Sequence, residues 1–593
     1  MSTANTSACL DDECTIGNFI AHLAPSIWNA EGGPSIPTWP PDMFAIVASL
    51  LNITGAYCKV VATEAIRIDW TPRAAGATWS EEMQSIGKDW RNGYSLRIRS
   101  QEQPQCPALI AIWWQILLNQ RDLPLCACIA PDNTDAEATR NYWILCRTLF
   151  NLMAASDEAC AGMGFPELTI GQADDVETRT RLSEWFLEYD TVRESHRNSR
   201  YGTTLCKYVH PSRVRVLPKL HTPRTGMTLR SLSLHLALCP ANEAKITWDN
   251  VYGWGTPTDN HINLLIVPWP MEIQPRDIVT VQDGLDGNAH LKHKLFAYNP
   301  TDPILYKGYG VAELVKQLLV ESSKIVGEDG IHGIVLPETA VTDEEYNDLK
   351  KIADEHELIL IAGIRTKTSE GHGRNQLGLY VAFSEENATG GGFSEFTQHK
   401  HHRWFLDANQ IHNYGLASRL HPDDGWWEAI EIAPRTLRCV ALRDWFYLCA
   451  LICEDLARQD PMASAVRAIG PSLLIALLMD GPQLSTRWPS RYATVLADDP
   501  GTSVLTVTNL GMVKLSCAMR PSSEFKMRRT IALWKDSETG QVEIDLPQNC
   551  DGTILCLTNK QSVELSADGR EDHRKGTLLV LGGVHYITCP AKA

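Results

Sequence analysis

The sequence predicts an α/β layered domain over residues 228–593, preceded by a mainly helical region. Three observations carry this reading. Apolar runs separated by helical spacing dominate residues 38–200, strand-like and helix-like runs alternate after residue 228, and no internal repeat with a stable period links the two parts. At 593 residues the chain exceeds one ordinary hydrophobic core, so more than one packing unit is expected. The reading divides it into a helical region of unknown role at 1–205, a connector at 206–227 and the layered domain at 228–593.

In the first part, PPDMFAIVASLLNITGAYCKVV opens on Pro40 and Pro41 and continues with apolar positions three and four apart. CPALIAIWWQILLNQ and TRNYWILCRTLFNLMAA read as buried helices between polar or proline-containing turns, and residues 1–37 read as loosely structured. The next segment carries Arg213, Arg215, Lys219, Arg224 and Arg230 among prolines and threonines, which reads as a solvated connector.

Beyond it, LRSLSLHLAL and INLLIVPW read as strands, VAELVKQLLVESSKIV as a helix and IHGIVLPE as a strand. DEEYNDLKKIADEHE returns to helix and LILIAGI to strand. QLGLYVAF, TLRCVALR and YLCALIC add strands, VRAIGPSLLIALLM reads as helix then strand, and TSVLTVTN follows. Short runs such as RRTIALWKD, TGQVEIDLP, GTILCLTN and KGTLLVLGG complete the domain.

Composition narrows the function classes. The formal net charge of −17 disfavours nonspecific binding to nucleic acid, which draws on clustered positive charge. No apolar run approaches a membrane span, and the acidic start MSTANTSACLDDECTIG lacks the order of a secretory signal. A cytoplasmic location is expected, with the 17 cysteines reduced and mostly buried. Cys126 and Cys128 are too close together for a zinc-type pair, and His399, His401 and His402 are too nearly consecutive to converge on a metal.

Three segments carry chemistry. GIVLPETAV sets Glu338 at a strand end, TQHKHHRWFLD sets Lys400 in a basic aromatic segment, and YLCALICEDLARQDP sets Cys453 where an apolar strand stops. A thiolate attacks an amide or nitrile carbon. A shielded glutamate accepts the thiol proton and returns it to the departing nitrogen, and an ammonium balances the oxyanion.

These segments resemble the motifs of the nitrilase (carbon–nitrogen hydrolase) superfamily over about 60% of the chain, from Arg230 to Tyr586. VLPETAV resembles the glutamate motif, HKHH the lysine motif and ALICEDL the nucleophile motif, at intervals of 62 and 53 residues. The resemblance implies a four-layer α–β–β–α sandwich and hydrolysis of an amide or nitrile through a cysteine thioester. It also implies no metal or organic cofactor, and pairing into a homo-oligomer. Glu338 would be the base, Lys400 the oxyanion partner and Cys453 the nucleophile, with Glu454 and Asp455 orienting the elbow. Arg487, Trp488 and Arg491 would line or brace the substrate entrance. Many members carry a second glutamate soon after the lysine; here Gln410 or Asp407 occupies that neighbourhood, with Gln410 expected to reach substrate or Lys400. The divergent body and helical N-terminal region also resemble nitrilase modules attached to larger bacterial systems, including some linked to reverse transcriptases in phage defence. The alternative reading, favoured by the missing second glutamate and the large helical extension, is a nitrilase-fold interaction or assembly module with weak or lost catalysis. The N-terminal region is open to three uses: an oligomerisation surface, a cover over the active site or a binding surface for a protein partner.

Overall fold

The computed structural model describes residues 14–592 apart from 30–32, 62–67, 74, 101–104, 126–135, 166–169, 171–172, 174, 242–243, 252–253, 255–259, 282–292, 301–302, 368–372, 384–391, 520–527 and 574–576. Cys126 and Cys128 lie outside the described residues.

Strands covered on both faces read as near-continuous apolar runs, and four segments are enclosed along their whole length. Gly333–Val341, Phe446–Ile452, Leu473–Leu478 and Ser503–Thr508 are buried at every position. They form the centres of two seven-stranded sheets. The first sheet runs Gly392–His399, Gly373–Phe383, Ile359–Lys367, Gly333–Val341, His261–Ile266, Gly552–Gln561 and Thr577–Ile587. The second runs Gln541–Asp545, Thr530–Lys535, Ser503–Thr508, Leu473–Leu478, Phe446–Ile452, Thr436–Arg443 and Lys245–Asn250.

One apolar core joins the facing sheets. The amphipathic helices Val311–Val326 and Asp343–His356 bury Leu314, Leu318, Leu349 and Ile352 against the first sheet. Trp488–Asp498 packs on the second. The layers are therefore α–β–β–α, the order implied by the resemblance. A further four-stranded sheet, Phe405–Leu406, Gly425–Glu428, His293–Tyr298 and Ile278–Val281, stands outside the sandwich. It has its own small core around Phe296, Trp404, Tyr414, Trp426 and Met479.

A second apolar core belongs to the helices Ile16–Leu23, Pro40–Thr54, Trp79–Ser100, Ala108–Leu118, Ala136–Ala159 and Val176–Arg197. Trp39, Tyr94 and Trp185 meet there with ring centroids 4.9–5.4 Å apart, and the Lys207 ammonium lies 4.5 Å from the Trp39 ring. Six of the tryptophans are fully enclosed, so much of the aromatic content is core. Ile16–Leu23 is a helix capped by Thr15, where the sequence reads as loose. Among the described residues no helix is long and apolar enough to cross a membrane.

The segment read as a solvated connector is instead buried. Val214–Pro218 pairs antiparallel with Leu236–Pro240. Arg215 donates to the carbonyls of Tyr201 and Ala244, and Lys219 to those of Arg230 and Ser233. Both cations survive enclosure because backbone oxygens replace their water. LRSL forms a 3-10 turn capped by Thr228 and Ser231, so the strand begins only at Leu236.

Two buried aspartates fasten the helices to the rest of the chain. Asp42 accepts the amides of Lys207, Tyr208 and Val209; Asp157 accepts those of Leu234, His235 and Leu236. Arg570, fully enclosed, reaches Asp157 and Glu158 at 3.0 Å and also pairs with Asp568. Burial pushes the Asp157 carboxyl up, but Arg570, His235 and the backbone amides outweigh it and hold it below the usual range. Removing the guanidinium would strand buried carboxylates. Arg570→Ala is expected to lower unfolding free energy by about 3–5 kcal/mol in urea titrations. A loss below 1 kcal/mol would show that water already reaches the cluster.

Candidate active site

Four chain segments converge where the central strands end. Glu338 lies near the end of Gly333–Val341, immediately before Thr339, which adopts φ 52. Pairing with Ile359–Lys367 shifts register there, between Ala362 and Ile364. Gly363 permits the shift: a Cβ at that position would lie 2.3 Å from Pro337 O and 2.5 Å from Glu338 Cα. Lys400 follows Gly392–His399, and its amide donates to Asn375 O on the adjoining strand. Cys453 follows Phe446–Ile452 with φ 44, a left-handed conformation that turns the chain sharply at the strand end.

Lys400 Nζ donates to Glu338 Oε1 at 2.8 Å and to Glu428 Oε2 at 2.6 Å. Asn375 Nδ2 bridges the same carboxylates, at 2.7 Å to Glu338 Oε1 and 3.0 Å to Glu428 Oε1. Glu428 Oε2 also accepts the Trp404 amide. Both Glu428 oxygens are thus occupied, whereas Glu338 Oε2 is buried without a partner. Glu338 and Lys400 are each 1% exposed and Cys453 4%.

The electrostatics follow from enclosure. Burial works against the Lys400 ammonium, but Glu338 and Glu428 outweigh it and hold its pKa well above the usual lysine value. Burial raises the Glu338 carboxyl above 4.5, helped by the Glu428 charge and opposed by Lys400. The Cys453 thiol is raised by burial and by Glu338, with Lys400 pulling the other way. Enclosure thus disfavours the charged forms of both the Cys453 thiol and the Glu338 carboxyl, near an ammonium that its two carboxylate partners hold charged.

The sequence reading expected Gln410 or Asp407 beside Lys400. Those residues cap the short helix Ala408–Asn413 instead. Gln410 N donates to Asp407 Oδ1 at 2.8 Å, and Asp407 N donates to Gln410 Oε1 at 3.2 Å. The carboxylate that meets Lys400 is Glu428, at the end of Gly425–Glu428. Its sequence signal was a glutamate closing the aromatic run GWWE. Asn375, inside a long strand, carried none.

Asp455 is fully buried and accepts the amides of His401 and His402 at 3.0–3.1 Å, together with His402 Nδ1 at 2.9 Å. It ties the turn after Cys453 to the segment that carries Lys400. Glu454 pairs outward with Arg458. The three histidines do separate work: His399 faces Gln376, His401 Nε2 lies 3.0 Å from Thr436 O, and His402 faces Asp455. Arg487 pairs with Asp480 at 2.5 Å, half-buried Trp488 packs against the main core beside Tyr492, and Arg491 is exposed.

No protein-family model matches the sequence, and no curated protein is similar to it by sequence. Among solved structures the chain is similar to Nit3 of Saccharomyces cerevisiae, a member of branch 10 of the nitrilase superfamily. Identity is 11% over 51% of this chain and 91% of that one, with a TM-score of 0.29. It is also similar to a CN-hydrolase superfamily protein from Xanthomonas campestris, with 12% identity, 50% and 90% coverage and a TM-score of 0.28. An amidase from Nesterenkonia sp. gives 10% identity, 51% and 92% coverage and a TM-score of 0.29.

Removing the Asp455 carboxylate would orphan two backbone donors beside Lys400, each worth about 1–3 kcal/mol when buried. Asp455→Ala is expected to lose at least about 2 kcal/mol of stability in chemical denaturation. Unchanged stability would mean that His401 and His402 find other acceptors.

Proposed function

We propose that the protein hydrolyses a non-peptide carbon–nitrogen bond, in an amide or nitrile, through a thioester on Cys453. The observation that carries this reading is the open, buried Glu338 Oε2 in a cluster whose other carboxylate oxygens are all occupied.

Cys453 passes its proton to Glu338 as Sγ attacks the substrate carbon. The transfer stays inside the enclosed site, so no net charge enters it. This matters because isolated thiolate formation there is disfavoured. For an amide, the carbonyl π pair moves to oxygen and Lys400 Nζ balances the oxyanion. The oxyanion then collapses, the C–N bond breaks, and Glu338 returns its proton to the departing nitrogen. Water attacks the thioester with Glu338 again accepting a proton, releasing the acid and restoring the thiol. A nitrile enters through a thioimidate that water converts to the same thioester with loss of ammonia. Glu428 and Asn375 hold Lys400 and Glu338 in register and act through them as positioning residues.

Ammonia release from a panel of primary amides and nitriles tests the reading. Glu338→Gln is expected to lose about 10²–10⁴ in kcat, the range of general acid–base contributions. Cys453→Ala should show no turnover. Turnover surviving in Cys453→Ala would refute the thioester route.

The pH profile has a defined sign. Glu338 must be ionised to accept the proton, and its pKa lies above the ordinary 4.5. The acid limb of kcat/KM should therefore fall at a pH above 4.5, with activity lost as pH decreases through it. A limb at or below 4.5 would remove Glu338 from the role of enclosed base.

A further inference from the structure

Asp480 is a buried carboxylate that the proposed reaction does not use. It follows Leu473–Leu478, the strand parallel to and adjoining the one that ends at Cys453. Ile452 pairs with Leu477, so Asp480 emerges at the same end of the sheet, just past the level of the nucleophile. Its neighbour Met479 accepts the Thr339 hydroxyl at 3.3 Å, which brings this turn against the Glu338 bulge. The Asp480 charge also acts on the Cys453 thiol, raising it.

The backbone here is fixed. Asp480 N donates to Thr508 Oγ1 at 3.1 Å, and Thr508 Oγ1 donates to Asp480 O at 2.6 Å. Oδ1 is fully engaged: it accepts Arg487 Nη2 at 2.5 Å, Gly481 N at 2.8 Å and the Tyr414 hydroxyl. A Cβ on Gly481 would fall 2.4 Å from Arg487 Nη1, so the glycine leaves room for the guanidinium to lie over the turn. Oδ2, in contrast, is buried with no hydrogen-bond partner, in a residue 5% exposed.

Three buried atoms around the site are acceptors without a donor: Glu338 Oε2, Asn375 Oδ1 and Asp480 Oδ2. Three carboxylates, on Glu338, Glu428 and Asp480, share two cations, Lys400 and Arg487. Spare buried acceptors and a surplus of carboxylates over cations beside the nucleophile select a ligand that brings donors and positive charge. A substrate carboxylate would face the opposite balance.

We propose that Asp480 is the specificity residue of this site and that the substrate is an amide or nitrile carrying a cationic amino group, whose ammonium donates to Asp480 Oδ2. This rests on the hydrolase reading for the reacting end and adds the chemistry of the other end. Oδ1 holds the carboxylate in place, and Oδ2 meets the substrate.

The test uses ω-aminoalkanamides of several chain lengths, each paired with its uncharged methyl isostere; 4-aminobutanamide and pentanamide form one such pair. Ammonia release by the full chain is expected to favour the ammonium member by about a hundredfold in kcat/KM at the best length. Asp480→Asn should bring the ratio close to one. Tyr414→Phe, which loosens the same cluster but keeps Oδ2, should retain the preference. Calorimetric binding to Cys453→Ala separates the two claims. Preferential binding of the ammonium amide without turnover by the wild-type chain would support Asp480 recognition and contradict hydrolysis. Equal turnover of both amides at every length, or a ratio unchanged in Asp480→Asn, would overturn the assignment and leave hydrolysis standing. Should Asp480→Asn fail to fold, the binding ratio in Cys453→Ala decides: no preference, or no binding of either amide, overturns the assignment.

Discussion

Lys400 carries its charge into a place that water does not reach, and much of the surrounding architecture answers that problem. An enclosed ammonium is tolerated only where opposite charges and acceptors replace its hydration. Glu338 supplies one carboxylate from the first sheet, Glu428 supplies another from the small outer sheet, and Asn375 spans both. The same constraint explains the Glu338 backbone. Its bulge, the positive φ of Thr339 and the glycine at 363 place the carboxyl against Lys400 at some conformational expense. Asp455 then anchors the Lys400 segment to the turn carrying Cys453.

This arrangement separates two carboxylates by function although they share one cation. Glu428 has each oxygen committed and serves to hold. Glu338 keeps one oxygen open, and burial raises its affinity for a proton. Differences in hydrogen bonding, rather than in residue type, set one as a brace and suit the other to the proton-carrying role proposed for it. Asp480 repeats the pattern nearby, with one oxygen bound into the fold and one open.

The legible parts of the sequence were those governed by local periodicity. Buried parallel strands announce themselves as near-continuous apolar runs, so GIVLP and YLCALIC marked both the sandwich and the ends that carry Glu338 and Cys453. Glu428 was less legible because its strand is four residues long and 28 positions from Lys400. Asp407 and Gln410 misled because a polar pair three residues apart suits a helix cap as well as a site. Arg215 and Lys219 looked solvated because sequence does not reveal which backbone carbonyls will enclose a cation. The helices Trp79–Ser100 and Val176–Arg197 escaped notice because charged residues interrupt their apolar positions, although each buries one face in the aromatic core.

The proposed reaction depends on Cys453 acting as a covalent nucleophile within this cluster. Intact-protein mass spectrometry during incubation with a panel of amides and nitriles addresses it most directly. A mass increase matching replacement of the thiol hydrogen by the acyl group, mapped to Cys453 and absent in Cys453→Ala, is expected. A folded protein that turns over substrate with no adduct at Cys453 under rapid quench, or that places the adduct on another residue, would contradict it.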